Sequence, residues 1–257
     1  MLILQDEIPN GRISKQEVNA PRQRGIVFVR EGNGGNLMCT FRCVIFDMDG
    51  TLTQTNQLIF DSFNYIAKKY QGREYSEPEI TAMFGPPEEG ALVHIVGEER
   101  IDAVLKEYLE FYKNNHNKLA RLYPGILDLL KFLKQQNCRI ALYTGKGIHT
   151  TNITLEEFGL RQYFDYIVTG NDVVSHKPSA EGIRKIMAHF GLKPDEVLMV
   201  GDSVADVNAS HEAGVKIAVV LWDSYAKDKV LQMKTDYQFY SVDELTRWMR
   251  EQCNCHD

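Results

Sequence analysis

The chain has 257 residues, a formal net charge of -6 at pH 7 and a hydrophobic content of 44%. This length allows one large domain or two modest ones, and the hydrophobic content is that of a globular protein. The acidic balance without a basic stripe argues against nucleic acid as a partner. No apolar run approaches the roughly 18 residues of a membrane span, so we also expect no membrane partner.

Residues 1–37 carry no secretory signal, because charged and amide side chains run through them without an apolar stretch before a small-residue cleavage site. They are polar apart from a short apolar run at Gly25–Val29. We predict that residues 1–37 are an unstructured extension and that Met38 is the natural start, since the glycine codons of Gly34-Gly35 can spell a ribosome-binding site. The alternative is an ordered hairpin around Gly25–Val29.

The cysteines are odd in number and scattered along the chain, which predicts free thiols in a reducing cytoplasm. There are five of them: Cys39, Cys43, Cys138, Cys253 and Cys255. The segment Cys253-Asn254-Cys255-His256 is interpreted as a frayed tail rather than a metal site, because three ligands with no distant partner do not close a structural site. We therefore predict a cytoplasmic protein.

The first strand signal is the apolar run Val44–Phe46, which ends at Asp47. Asp47 and Asp49 are two residues apart, so their side chains point the same way in an extended segment. Gly50 then lets the chain turn sharply. We expect both carboxylates at the C-terminal edge of a strand, where open α/β sheets place their ligand sites. One could be a nucleophile and the other a proton donor.

Residues 55–120 show helical periodicity and no convincing strand. The helical patterns cover Leu58–Tyr70, Glu77–Phe84, Ala91–Val96 and Glu98–Asn114, with a break at Gly85-Pro86-Pro87. The chain returns through Leu122-Tyr123-Pro124-Gly125, which suits a hinge and a helix start. We predict a small all-helical domain at 55–120, inserted into a core that residues 38–54 and 121–257 form.

Strand and helix patterns alternate through the rest of the chain, which predicts an α/β fold with a doubly wound parallel sheet and helices on both faces. The further predicted strands are Arg139–Tyr143, Tyr166–Val168, Val197–Val200 and Lys216–Val220. The predicted helices are Gly125–Gln135, His149–Phe158, Ala180–Phe190, Ala205–Ala213 and Val242–Glu251.

Two polar residues follow such elements in positions that suit a phosphate. Thr144 ends the apolar run Ile140–Tyr143, and a hydroxyl before glycines and a helix start can bind an anion together with free backbone N–H groups. Lys177 precedes Pro178 and a helical pattern, where it could pair with a phosphate and a carboxylate. Read alone, each is more often plain loop chemistry or a solvated charge.

A second acidic pair follows the strand Val197–Val200. Asp202 and Asp206 are four residues apart and flank a helix start, where Asp202 could simply be a helix cap. A second acidic cluster beside Asp47 and Asp49 would be repulsive without a positive charge between them. Carboxylates, substrate phosphate and water are the ligands that Mg²⁺ prefers. These acids, with a lysine and a hydroxyl at strand ends, predict a Mg²⁺-assisted phosphoryl site.

The four segments resemble, in order and spacing, the motifs of the haloacid dehalogenase-like hydrolase superfamily. They are Asp47-x-Asp49-Gly50-Thr51-Leu52, Thr144-Gly145, Lys177-Pro178 and Gly201-Asp202-x-x-x-Asp206. The helical insert after the first motif is similar to that of the subgroup containing phosphoglycolate phosphatases, bacterial pyrophosphatases and β-phosphoglucomutases. The resemblance covers roughly residues 41–250. It implies a Rossmann-like core with a helical cap.

By resemblance, Asp47 is the nucleophile that forms an aspartyl-phosphate. Asp49 is the general acid that protonates the leaving oxygen and then the base that activates water. Thr144, Gly145 and Lys177 bind the transferring phosphoryl group, with Gly145 contributing only backbone N–H because it replaces an asparagine that relatives often have.

The metal site also follows from the resemblance. Asp47, Asp202 and the backbone carbonyl of Asp49 are expected to hold Mg²⁺. Asp206 is expected to orient Lys177 or a metal-bound water, with Ser203 beside it. Relatives often have an acid and a serine soon after the first motif, where this chain has Thr53-Gln54-Thr55, which leaves that contact with substrate open.

Among the activities of the superfamily, we predict a Mg²⁺-dependent phosphatase that acts on a small phosphorylated metabolite as a monomer or homodimer. Asp49 argues against dehalogenation, because the dehalogenases lack an acid there. None of the cap lysines sits in the apolar setting that a Schiff base needs. A pyrophosphatase, a β-phosphoglucomutase-like mutase and a catalytically idle binding module remain alternatives.

The loop Gly85–Gly90 is the predicted contact between cap and leaving group, and it presents Glu88 and Glu89. One interpretation is that a glutamate faces the site and repels a carboxylate or a second phosphate, which favours amine- or hydroxyl-bearing phosphomonoesters. The other is that both are solvated residues at a helix start. The sequence weighs the two equally.

Overall fold

The computed structural model describes residues 39–224 and 226–253. The predictions for residues 1–37, for the Gly25–Val29 hairpin and for residues 254–256 lie outside them. No helix in the described part of the chain is long and apolar enough to cross a membrane.

A six-stranded parallel sheet forms the centre of the molecule, in the order β5-β4-β1-β6-β7-β8. Its strands are β1 (Cys43–Phe46), β4 (Arg139–Tyr143), β5 (Tyr166–Val168), β6 (Val197–Gly201), β7 (Lys216–Val220) and β8 (Tyr237–Phe239). The doubly wound parallel sheet and five of these strands were predicted. β8 was missed because Tyr-Gln-Phe is too short to show an alternation.

Both faces of the sheet are covered by helices, which is why β1 is buried at every position. Val44 and Phe46 enter one apolar cluster, and Cys43 and Ile45 enter the other. The helices are α5 (Ile126–Gln135), α6 (Ile148–Glu157), α7 (Glu181–Phe190), α8 (Val204–Ala213), α9 (Lys227–Val230) and α10 (Val242–Gln252). Every predicted helix is present within one or two residues, and only the one-turn α9 was not predicted.

The segment between the first and second sheet strands is helical, as its periodicity predicted. It contains α1 (Asn56–Gln71), α2 (Glu77–Thr81), α3 (Glu88–Val96) and α4 (Ile101–Leu119). Their apolar faces form a separate cluster that includes Ile66, Leu92 and Tyr108. A short antiparallel pair, β2 (Thr53–Gln54) and β3 (Arg121–Leu122), joins the chain at the two crossings between sheet and insert.

The prediction of free thiols is wrong for two of the cysteines. Cys39 and Cys253 form a disulfide across a sequence separation of 214 residues. The backbone N–H of Thr40 also donates to the carbonyl of Gln252 at 2.9 Å, so the start of the described chain is fastened to its last helix. Cys43 and Cys138 are free and buried. Spacing along the sequence carried no sign of this pairing, because only the fold brings the two ends together.

Candidate active site

The predicted site residues meet at the C-terminal edge of the sheet. Asp47 follows β1, Thr144 follows β4 and Asp202 follows β6, three adjacent strands with β1 in the middle. All three side chains are buried. Lys177 reaches them from the segment before α7, and Asp206 from the first turn of α8.

Lys177 is the centre of a buried ion-pair chain. Its Nζ lies 2.6 Å from Asp47 Oδ1 and 2.8 Å from Asp206 Oδ1, and it donates to the carbonyl of Tyr143 at 3.1 Å. Burial alone would lower the pKa of Lys177, but the Asp206 and Asp47 carboxylates outweigh it and the pKa is raised. The lysine therefore stays protonated where a transferring phosphoryl group would sit.

Asp47 and Asp202 form an acidic site that calls for a cation. Burial, partly offset by Lys177, raises the pKa of Asp47 to about 7. Burial, with the negative charges of Asp47 and Asp206, also raises the pKa of Asp202 well above its usual range. Carboxylate oxygens of these three aspartates lie within 4.8 Å of one another. Since Asp206 is paired with Lys177, the donor set left for a hard divalent cation is Asp47 and Asp202.

Asp202 is not the cap of α8, which excludes the simpler interpretation of this residue. Ser203 is the N-cap, and its hydroxyl accepts from the backbone N–H of Asp206 at 3.2 Å. In return, the Asp206 carboxylate accepts from the N–H and hydroxyl of Ser203 at 3.0 and 2.6 Å. Asp202 itself accepts from the Thr51 hydroxyl at 3.2 Å.

Gly50 lets the first motif pass directly beneath Asp202. Its φ is +80°, and a Cβ at this position would lie 2.6 Å from Asp202 Oδ2. Both the backbone conformation and the close approach require glycine. The turn after Asp49 thus brings the first and fourth motifs into contact.

Thr144 presents its hydroxyl at the end of β4. The Oγ1 atom accepts from the backbone N–H of Lys146 at 3.2 Å, which leaves its own hydrogen for another acceptor. Gly145 has open space above it up to the carbonyl of Gly85, 3.5 Å from where a Cβ would lie. Both residues lie where the phosphate-binding prediction requires them.

Asp49 has partners that sequence reasoning missed. Lys146 Nζ lies 3.1 Å from both Asp49 carboxylate oxygens, and the Thr55 hydroxyl donates to Oδ1. The same Nζ is 4.9 Å from the centre of the Tyr112 ring on α4. The sequence signal for Lys146 was its place between two glycines at a strand end, where it was read only as part of a turn.

Glu88 is not the solvated helix-start residue of one interpretation. It begins α3, but its carboxylate is partly buried and accepts from the Gly147 N–H at 2.8 Å and from the Thr150 hydroxyl. These groups belong to the N-terminal end of α6. A Cβ at Gly147 would lie 2.3 Å from Glu88 Oε2 and 3.4 Å from Glu89 Oε2. The glutamates of the predicted loop therefore contact the core beside the second motif, and Glu89 Oε2 is buried without a hydrogen bond in the described structure.

The cap lysines weighed as Schiff-base candidates are all exposed, in agreement with the argument against that chemistry. They are Lys68, Lys69, Lys106, Lys113 and Lys118.

Comparisons with known proteins identify the family. The chain matches the model of the haloacid dehalogenase-like hydrolases over residues 44–220, a range that contains all four motifs. It is similar to pyrophosphatase PpaX from Halalkalibacterium halodurans, with 35% identity over 202 residues that cover 79% of this chain and 94% of the relative.

Solved structures of the same architecture are also similar to this chain. A predicted phosphoglycolate phosphatase from Haemophilus somnus matches with a TM-score of 0.70 at 24% identity, which shows the fold. A predicted phosphatase from Clostridium acetobutylicum matches with a TM-score of 0.66 at 27% identity. Each match covers 82% of this chain and 99% of the other. The helical insert and the sheet therefore both belong to the shared fold.

Proposed function

This chain belongs to the haloacid dehalogenase-like hydrolase family as a phosphohydrolase, and we propose that it is a Mg²⁺-dependent phosphatase of a small phosphorylated metabolite. The observation that carries the proposal is the buried group of Asp47, Lys177 and Asp202 at one sheet edge, with a Lys177–Asp47 distance of 2.6 Å. A buried nucleophile held by a lysine beside a second carboxylate suits phosphoryl transfer through an aspartyl-phosphate.

Asp47 and Asp202 would hold the metal, together with the backbone carbonyl of Asp49. When bound there, Mg²⁺ neutralises the charge that accumulates between the nucleophile and the phosphoryl oxygens. Thr144, the backbone N–H groups that follow it and Lys177 bind the remaining phosphoryl oxygens. Lys177 thus holds the nucleophile and the phosphoryl group at once.

The reaction has two steps in this proposal. Asp47 attacks phosphorus while the bond to the leaving oxygen breaks, and Asp49 gives that oxygen its proton. Asp49 then takes a proton from a water that attacks the aspartyl-phosphate, which releases inorganic phosphate and restores Asp47. The Thr55 hydroxyl, which donates to Asp49, fixes the orientation of this acid.

The helices α1–α4 act as a cap over this edge in the proposal, with the domain boundaries at residues 55 and 120. Glu88 supports it, because a residue of the insert is hydrogen-bonded to the core at Gly147 and Thr150. A cap that docks beside the second motif excludes water while the aspartyl-phosphate exists.

A pyrophosphatase is the second candidate, because the relative from Halalkalibacterium halodurans carries that name and is 35% identical. The same residues serve both activities, since pyrophosphate differs from a phosphomonoester only in the group that leaves. A mutase would require the cap to retain a sugar bisphosphate, and no contact in the described residues favours it.

A substrate panel with a matched nucleophile variant tests the proposal. Wild type is assayed with Mg²⁺ on pyrophosphate, phosphoglycolate, sugar phosphates, nucleotides and phosphoamines, beside Asp47→Asn. We expect phosphate release by wild type and none by the variant, because an amide cannot attack phosphorus. Release by the variant, or by wild type in a chelator, would refute the mechanism.

A further inference from the structure

We propose that Lys146 binds negatively charged atoms of the leaving group, so that the enzyme favours substrates whose leaving group carries an anionic charge close to the scissile oxygen. This inference rests on the proposed function, because it assigns a leaving-group side to the same site.

Lys146 is a buried cation that the phosphoryl-binding roles do not use. Its side chain is only 3% exposed, and its Nζ lies 3.1 Å from both carboxylate oxygens of Asp49. Burying a lysine is costly unless its charge is compensated. Lys177 already pairs with Asp47 and Asp206, so the two lysines divide the site between them. Lys177 lies at the nucleophile, and Lys146 lies at the acid.

The position of Asp49 fixes what Lys146 can touch. In the proposed reaction, the leaving oxygen receives a proton from Asp49 and must lie within hydrogen-bond distance of its carboxylate. Lys146 Nζ is 3.1 Å from that carboxylate, so the atoms next to the leaving oxygen come within reach of the ammonium. The Tyr112 ring, 4.9 Å away, holds the ammonium on its other side.

The nearby glutamate of the cap does not cancel this charge. Glu88 accepts hydrogen bonds from Gly147 N–H and the Thr150 hydroxyl, at the N-terminus of the ten-residue helix α6. Its carboxylate is therefore compensated by donors of its own. Lys146, in contrast, is ion-paired within the described residues only to Asp49, the group whose proton the reaction uses.

This assignment reverses the substrate ranking that Glu88 and Glu89 suggest from the sequence. A free carboxylate at the cap would favour amines and hydroxyls, whereas a lysine beside the acid favours a carboxylate or a second phosphate on the leaving group. Phosphoglycolate and phosphoethanolamine are a suitable pair of probes, because their leaving groups are of similar size and opposite charge.

The test compares kcat/KM for these two probes in wild type, Lys146→Met and Lys146→Arg, with Lys113→Met as a matched control. Lys113 is an exposed lysine of α4, one residue from Tyr112. We expect wild type to prefer phosphoglycolate by at least tenfold and Lys146→Met to lose at least ten times more on phosphoglycolate than on phosphoethanolamine. Lys146→Arg should recover part of the preference, and Lys113→Met should match wild type.

Equal losses on both probes in Lys146→Met, or a wild-type preference for phosphoethanolamine, would overturn the inference. If Lys146→Met does not fold, as judged by circular dichroism, the wild-type ranking and Lys146→Arg decide the matter. A wild type that hydrolyses neither probe nor any other phosphate ester would instead refute the proposed function, so the two failures are distinguishable.

Discussion

Asp206 Oδ1 lies 2.8 Å from the Nζ of Lys177, and the Asp206 side chain is completely buried. Its other oxygen accepts from the N–H and hydroxyl of Ser203, so the carboxylate is fixed at the first turn of α8. Lys177 is fixed in turn, at 2.6 Å from Asp47. Asp206 therefore positions the lysine for the nucleophile without occupying the place of the substrate.

Replacing Asp206 with Asn is expected to destabilise the protein and to slow turnover. Removal of one charge from a buried ion pair costs about 3–5 kcal/mol of unfolding free energy, because the other charge loses its compensation. Urea denaturation measures this loss, and kcat on a good substrate should fall by at least about tenfold. The control is Asp243→Asn, which removes an exposed partner of Arg247 and should cost less than about 1 kcal/mol. Similar stabilities of the two variants would contradict the positioning role.

Asp49→Asn is expected to slow the reaction most for substrates with poor leaving groups, because these need the proton most. A general acid contributes roughly 10²–10⁴-fold, so an alkyl phosphate should lose about that factor and 4-nitrophenyl phosphate much less. The measurement is kcat/KM for both esters in wild type and variant. An equal loss on the two would mean that Asp49 does not donate the proton.

The sequence predicted the residues that lie at strand ends and missed those that reach the site from elsewhere. Asp47, Thr144 and Asp202 each follow an apolar run, and parallel strands bring their ends to one edge. Lys146 could not be assigned, because its partner Asp49 is 97 residues away and only the fold joins them. The same reason hid the Cys39–Cys253 disulfide.

Metal binding is expected to stabilise the protein more at high pH than at low pH. Burial raises the pKa of Asp47 from 3.8 to about 7, and that of Asp202 in the same direction. Between these values the metal-free folded protein binds protons that the unfolded chain has released, so its free energy of unfolding falls as the pH rises. Mg²⁺ replaces those protons, and its effect grows with pH.

The measurement is the melting temperature with Mg²⁺ and with a chelator at pH 5.5 and pH 7.5. The gain from Mg²⁺ should be larger at pH 7.5, and Asp202→Asn should reduce it at both values. A gain of the same size at both pH values in wild type would show that these carboxylates do not hold the metal.

The Cys39–Cys253 disulfide is expected to stabilise the fold. A bond that closes a loop of 214 residues restricts the unfolded chain, and loss of such a bond typically costs about 2–5 kcal/mol. The Cys39→Ser, Cys253→Ser double variant should therefore unfold at lower urea concentration than wild type. Reductant should lower the stability of wild type and leave that of the variant unchanged. Equal stability of oxidised wild type and the double variant would contradict this prediction.

Thiol titration provides an independent check on the same pairing. Burial raises the pKa of Cys43, and burial raises the pKa of Cys138 to about 12, so both thiols should be inert to disulfide reagents in the folded protein. In a Cys255→Ser background, mild reduction should then release two reactive thiols from a protein that showed none. Two or more reactive thiols before reduction would place Cys39 and Cys253 in the reduced state.

Glu88 is expected to hold the insert to the core through α6. Glu88→Ala leaves the Gly147 N–H and the Thr150 hydroxyl without their acceptor, and a partly buried donor that loses its partner costs about 1–3 kcal/mol. Glu88→Gln keeps an acceptor oxygen but removes the charge at the helix N-terminus, so it should cost about 0.3–1 kcal/mol. Glu98→Ala, at an exposed position of the insert, should change stability by no more than about 0.5 kcal/mol. Hydrogen exchange at Gly147 then separates docking from global stability, because its amide should exchange faster in Glu88→Ala even under conditions where the sheet stays protected. An unchanged exchange rate at Gly147 would show that this hydrogen bond does not hold the insert in solution.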